Sequence, residues 1–274
     1  CPVGKGAADY DAPLELTDSV VCFDICTKAA FIFETLGLTL QQEFAFELGT
    51  TFKESIRENL IDFDTMTVAG NCQTSQAISI FYNVFEENEK PAAFNVLMDL
   101  INKSDDHMTT GVIGGRVLFH VLSEFGESDL AYKMITRKDY PSYGNWIERG
   151  ATTLWEDFQP EGGPVASLNH HFWGDISHWF IRWVAGIHFN PGKNNANQVF
   201  IRPSFISDLS YAQGFYDAPA GEVKVSWSRE GNGVSLGISL PENMTGRIIL
   251  PEGYSFEDGI KECELKSGNF IVKK

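Results

Sequence analysis

Positive charge is scarce in this chain. Its 274 residues carry 21 Lys and Arg against 37 Asp and Glu, a formal net charge of −16. So acidic a surface repels phosphate backbones and anionic headgroups, which argues against nucleic acid and against a membrane as partners. No apolar run reaches the ~20 residues that a membrane-spanning helix needs. No signal peptide is visible, and a chain that opens CPVGKG without methionine is expected to be a mature or fragment end. Cysteine is sparse and odd in number. Cys1, Cys22, Cys26, Cys72 and Cys263 match no zinc or redox spacing, so all five are expected to be free thiols, mostly buried, which weakly favours a reducing compartment. A nucleophile elbow and a phosphate-binding loop are also lacking, and no cofactor is implied.

What is present is apolar and aromatic. Hydrophobic residues make up 43% of the chain and aromatics 13%, with 21 Phe, enough for one large domain or a large one and a small one. The chemistry-bearing residues concentrate in the stretch 143–179, YGNWIERGATTLWEDFQPEGGPVASLNHHFWGDISHW. It holds four of the six tryptophans, three of the six histidines and five carboxylates, Glu148, Glu156, Asp157, Glu161 and Asp175. QPEGGP in its middle is a loop signal. Indole faces stack on the C–H face of a pyranose and carboxylates supply acid and base, so a sugar site can be built from such residues.

Around this stretch the apolar period is helical. Predicted helices cover residues 15–36, stopped by Gly37, then 40–59, 72–85, 89–102, 112–124, 128–136 and 168–186, with 62–70 as a connection. Amphipathic helices on short connections imply an array of α/α hairpins. The period then shortens to two. Predicted strands at 199–203, 222–228, 234–240, 247–250, 260–265 and 269–273, with Gly or Pro between them, imply a β-sandwich. The boundary falls near Asn190-Pro191-Gly192, giving a helical domain 1–190 and a sandwich domain 191–274.

The order of the motifs resembles a known family. GNCQTSQAISIFYNVF, HMTTGVIGG, DYPSYGNWIERGATTLWE, NHHFWGDISHWFIRWVAGI with VFIRPSF, and SYAQGFYDAPAGEVKVSW follow one another as similar segments do in the bacterial and fungal α-L-rhamnosidases, the large inverting family; the resemblance spans residues 10–230. It implies an α+β multidomain fold, part of an (α/α)6 toroid followed by a small antiparallel β-sandwich. A closed toroid needs six helix pairs, and the sequence predicts about seven helices. The expected partner is therefore the missing N-terminal half of the same toroid. On that reading Val20, Phe23 and Phe31 of the first helix are expected to face it.

The resemblance also implies roles. Glu156 falls on the family's general base and His170 on the histidine that contacts the sugar, with Asn169 beside it; Trp146 and Trp155 are candidates to line the pocket, whereas Trp173, Trp179 and Trp183 read as core. The loop between Glu156 and His170 is several residues shorter than in typical members, and Ala8-Asp9-Tyr10 is a weak match to the family's Gly-Asp-Trp. The family's general acid lies in an Asp-Cys-Pro-x-Arg-x-Glu-like segment that this sequence does not contain. The expected function is an inverting α-L-rhamnosidase-like glycoside hydrolase acting on a rhamnose-containing glycoside or polysaccharide, with the acid outside this chain. Should the acid lie within it, Glu148 and Asp157 are the first to test. Two alternatives stand beside this one: a non-catalytic carbohydrate-binding fragment, and a polysaccharide lyase on a related toroid. His171, Asp175 and His178, spaced for one helical face, have metal-ligand chemistry, but no metal is expected there.

Overall fold

The computed structural model describes residues 10–160, 163, 167–189 and 196–274. Asp9, Glu161 and the expected boundary at Asn190-Pro191-Gly192 lie outside the described residues. Two compact units form. One holds the chain up to Val121 together with Lys133–Trp173; the other holds Leu122–Tyr132 together with Gly174–Lys274.

In the first unit, α1 (Leu14–Thr35) and α2 (Thr39–Leu60) form a hairpin. Gly37 ends α1 with φ 70°, and the bonds Gly37 N–H to Glu34 O (3.0 Å) and Leu38 N–H to Phe33 O (2.8 Å) complete a Schellman cap. The predicted connection after α2 contains a small hairpin, β1 (Ile61–Asp62) with β2 (Thr67–Val68). Next, α3 (Gln73–Phe81) pairs with α4 (Lys90–Lys103). It is shorter than predicted because Asn83 takes φ 59° and caps it in the same way, through Val84 N–H to Ser79 O at 3.0 Å. α5 (Val112–Glu124) and α6 (Ser128–Thr136) match their predicted spans, and a short α7 (Tyr143–Glu148) was not expected.

The motif NCQTSQ turns out to be a buried bracket. Gln73 donates to Ser104 Oγ and His107 O and accepts from the Thr109 N–H, each at 2.9 Å. Gln76 donates to Met66 O and Ala93 O at 2.9 Å and accepts from Val68 N–H at 3.2 Å. Two side chains on one face of α3 thus satisfy the backbone of the β1–β2 hairpin and of the HMTTG loop.

Many large apolar residues around α1 and α2 are bare. Val21, Ile25, Phe31 and Ile32 of α1, Leu36 at its end, and Leu40, Phe44, Phe46 and Leu48 of α2 are exposed, Leu40 by 78% and Phe46 by 68%. The expectation for Val20 and Phe23 needs correction. Val20 is buried against the rest of the unit and Phe23 is half-buried; of the three named residues only Phe31 is exposed.

Of the predicted seventh helix, 168–186, only α8 (Asp175–Trp179) and a π-helical segment, 180–185, are helical. Residues 168–174 cannot join them, because the His170 N–H is committed to Leu154 O. His171 therefore shares no helical face with Asp175 and His178, and the spacing read as one face is not one. Gly186 ends the π segment at φ 88°, where a Cβ would lie 2.4 Å from Pro203 N, so the turn of the AGI motif requires glycine.

Two sheets follow. One runs β10 (Glu262–Glu264), β8 (Thr245–Ile249), β4 (Gln198–Ile201), β3 (Ile187–His188); the other runs β5 (Tyr211–Ala218), β6 (Gly221–Glu230), β7 (Gly233–Ser239), β11 (Gly268–Lys273), β9 (Ser255–Phe256). Alternate residues Val223, Val225 and Trp227 of β6 and Val234, Leu236 and Ile238 of β7 are buried, as the period-two pattern predicts. One pairing departs from the antiparallel expectation: β4 runs parallel to β8, the connection between them carrying three strands of the other sheet. The Trp227 indole donates to Val184 O at 2.7 Å and ties the sheet to the π segment. Four cysteines are free thiols, but only Cys26 is buried; Cys22, Cys72 and Cys263 are partly exposed, which corrects the expectation of burial, and Cys1 lies outside the described residues. Among the described residues no helix is long and apolar enough to cross a membrane.

Candidate active site

The site is built on a turn and a backbone staple. Ser142 caps α7, accepting from the Asn145 N–H at 2.9 Å. At the other end Gly150, with φ 83°, closes a Schellman cap through Ala151 N–H to Trp146 O at 2.9 Å. The chain leaves this cap through ATTLWE, irregular and with bends at Thr152, Thr153 and Glu156, and is bonded to the returning segment. The Glu156 N–H donates to Ser167 O at 2.9 Å and the His170 N–H to Leu154 O at 2.8 Å, while the Thr153 hydroxyl donates to Leu168 O. Glu156 and His170, fourteen positions apart, are thereby held on the two joined segments of one stapled loop.

Beneath the staple lies an aromatic cluster. Trp146 stacks on Phe158 at 4.0 Å and 13°, and Tyr143 and Trp173 meet the pair edge-on. Trp155 lies 6.1 Å from Trp146, with the Arg149 guanidinium 5.1 Å over its ring. Arg149 also donates to Gln159 O at 2.5 Å, which fixes the chain just after the glutamate. Trp146 is 2% exposed and Trp155 9%. Within this chain both indoles therefore serve as the floor of the loop, and one face of Trp146 is already covered by Phe158.

The polar groups are placed differently. Glu156 is half-buried, and both its peptide groups are bonded, its carbonyl accepting from the Trp173 indole at 2.8 Å. His170 stacks parallel to His171 at 5.2 Å and meets Phe172 edge-on at 3.9 Å, and its Nδ1 is buried without a hydrogen-bond partner. An unpaired buried imidazole nitrogen is costly unless a ligand completes it. Asn169 is exposed, its backbone N–H on Ser167 Oγ at 3.3 Å. Glu148 is spent on a surface ion pair with Lys138 at 3.0 Å, while Asp157 is half-buried beside Glu156.

Charges brace the neighbouring loop. Arg137 grips both oxygens of Asp139 at 2.8 Å, and His107 Nε2 lies 3.1 Å from the same carboxylate. The Arg137 guanidinium, with His107 assisting, holds the Asp139 carboxyl well below the usual range. A separate cavity of ≈ 290 Å3 is lined by Asp11, Thr17, Asp18, Cys72, Thr74 and Thr109; neither Glu156 nor His170 lines it.

Comparison with known proteins gives this arrangement a lineage. A family model described as the bacterial alpha-L-rhamnosidase 6 hairpin glycosidase domain matches residues 8–184, and one for the bacterial alpha-L-rhamnosidase C-terminal domain matches residues 186–261. The chain belongs to the bacterial α-L-rhamnosidase six-hairpin glycosidase family.

The likeness of this rhamnosidase-family chain to individual members agrees. It is 29% identical over 274 residues, 92% of its length and 28% of the relative's, to an alpha-L-rhamnosidase of Alteromonas sp. (strain LOR). To one of Streptomyces avermitilis it is 31% identical over 221 residues, 74% of this chain and 21% of the other. A crystal structure of Streptomyces avermitilis alpha-L-rhamnosidase complexed with L-rhamnose superposes with a TM-score of 0.81 at 26% identity, covering 93% of this chain and 26% of that one. The chain thus spans under a third of the length of the relatives it matches. Sequence reasoning missed the buried glutamines of α3 and the indole bond of Trp173. Gln73 and Gln76 sit in a motif that the resemblance had picked out, but no periodicity tells a side chain that brackets backbone from one that faces solvent.

Proposed function

We propose that this chain is part of an inverting α-L-rhamnosidase-like glycoside hydrolase that releases terminal α-L-rhamnose, with Glu156 as the general base. Residues 1–190 contribute to the catalytic toroid and residues 191–274 form the C-terminal sandwich. The observation that carries the reading is the stapled loop, which holds both a half-buried glutamate with its two peptide groups bonded and a histidine whose Nδ1 is buried and unpaired. Inversion needs a carboxylate that takes a proton from water on one side of the anomeric carbon and an acid that protonates the leaving oxygen on the other, the two roughly 6.5–9.5 Å apart. Glu156 supplies the first. The acid comes from outside this chain, in the further helix pairs of the same toroid.

Exposed apolar residues on α1 and α2 support this reading. Two of them, Phe31 and Phe46, line a groove of ≈ 680 Å3 with Phe23, its walls also carrying Glu34, Lys53, Glu54 and Arg57. Large apolar side chains exposed in such number mark an interface, and the chain spans under a third of the length of the relatives it matches. His170 and Asn169 hold sugar hydroxyls, and Trp146 and Trp155 support the pocket from below.

The test is Glu156→Gln in the full-length protein. The amide keeps the shape but cannot accept a proton, so turnover of an aryl α-L-rhamnoside should fall by roughly 10²–10⁴-fold while the fold is retained. Near wild-type turnover sinks the assignment. Rhamnose binding without turnover in the unmutated full-length protein instead favours the carbohydrate-binding alternative.

A further inference from the structure

Trp173 reads as core from its sequence context, and it is indeed 4% exposed. Its polar edge has a specific target: the indole Nε1–H donates to the carbonyl of Glu156 at 2.8 Å. The N–H of the same residue donates to Ser167 O, so the Glu156 backbone is gripped from two sides by different segments. A residue whose two peptide groups are both fixed can point its Cα–Cβ bond in only one direction. Without the indole bond the 156–157 peptide loses its own anchor, and the carboxylate is re-aimed with it.

The indole is itself immobilised. Its six-membered ring rests on Gly115 of α5, where an added Cβ would come 2.4 Å from Cζ3, closer than real contacts allow. The Tyr143 hydroxyl donates to the Trp173 carbonyl at 3.2 Å, and Phe158 packs edge-on at 4.6 Å. The chain therefore runs from a glycine seat on α5, through a locked indole, to the main chain of the carboxylate.

We propose that Trp173 is a positioning residue for Glu156, acting through its indole N–H rather than through its bulk, and that Gly115 is the seat that permits it. This rests on the reading of Glu156 as the general base. A displacement of the base by a fraction of an ångström matters because its lone pair has to meet a single water, and small misplacements of catalytic groups cost rate steeply. A lost interaction of this kind lowers kcat more than it raises KM.

The experiment uses the full-length protein with an aryl α-L-rhamnoside. Trp173→Phe keeps an aromatic ring and removes the donor. The expected result is a kcat about tenfold lower, KM within about twofold of wild type, and a displaced acid limb of the kcat/KM pH profile. In a Glu156→Gln background Trp173→Phe should lower the residual rate no further, since the two act as one unit. Gly115→Ala, which keeps the indole but pushes it from its seat, should reproduce the kcat loss and keeps the test open if Trp173→Phe does not fold. A folded Trp173→Phe protein with unchanged kcat and pH profile overturns the proposal, as does an equal further loss in the Glu156→Gln background. Near wild-type turnover of Glu156→Gln alone is a different failure: it removes the base, and the proposal with it.

Discussion

Replacing Gln73 by Leu tests whether the α3 bracket holds the HMTTG loop. The leucine approximates the volume, so the perturbation is to hydrogen bonding and not to packing. Gln73 makes three bonds at 2.9 Å, and their loss is unequal. The Ser104 hydroxyl lies 2.9 Å from His107 O and 2.8 Å from Ile101 O, so its one proton can turn to the His107 carbonyl that Gln73 releases. The Thr109 N–H has no such reserve. Orphaning one buried amide costs about 1–3 kcal/mol and each of the two lost but compensated bonds about 0.5–1 kcal/mol, so the loop should open about 2–5 kcal/mol more easily. At 1.4 kcal/mol per tenfold this is a roughly 30- to 4,000-fold loss of protection for the Thr109 amide, measurable by native-state hydrogen exchange. Gln76→Leu serves as the control. It should expose the Val68 amide and leave Thr109 protected, because Gln76 bonds only the hairpin and α4. If Thr109 keeps its protection to within threefold in a folded Gln73→Leu protein, the bracket is not what orders the loop.

Two further outcomes follow from the geometry. His170→Ala should weaken L-rhamnose binding by about 1–3 kcal/mol, the range for removing a buried polar partner, as read by calorimetry in the full-length protein; an unchanged affinity per folded molecule would make the histidine a core residue. Glu89 accepts a two-pronged bond from Arg57, with 2.7 and 2.9 Å legs, which holds its carboxyl below the usual range. A lowered folded value means that the stabilisation is present above the unfolded value of about 4.3 and is lost as pH falls through the folded value. The stability gap between wild type and Glu89→Gln, from urea midpoints at pH 3 to 7, should therefore be flat above about pH 5 and shrink below it. A gap independent of pH would show that Glu89 acts by packing alone.

The sequence by itself determined the elements whose pattern is local. α5 and α6 run where the apolar period put them, Gly37 stops α1 as expected, and β6 and β7 follow their alternation, because burying one face of a helix or strand imposes its period on the residues. The ordered motifs were enough to identify the family, since they lie in the stretches that the family models match. β5 escaped notice because it is an edge strand whose faces are mostly exposed, so Tyr211, Phe215 and Tyr216 show no alternation. Residues 168–174 carried helical spacing, yet the His170 N–H had its partner in Leu154, sixteen positions back in the chain. Only the tertiary structure could decide that, because a hydrogen bond to a distant strand overrides local propensity without leaving a trace in the local pattern. The same holds for the site. The residue types were legible in the stretch 143–179, but that Trp146 would be floor, that the His170 Nδ1 would be buried unpaired, and that Trp173 would reach the Glu156 carbonyl depend on how the stapled loop lies over the aromatic cluster. These are contacts between residues far apart in sequence, set by the shape that the whole unit closes around.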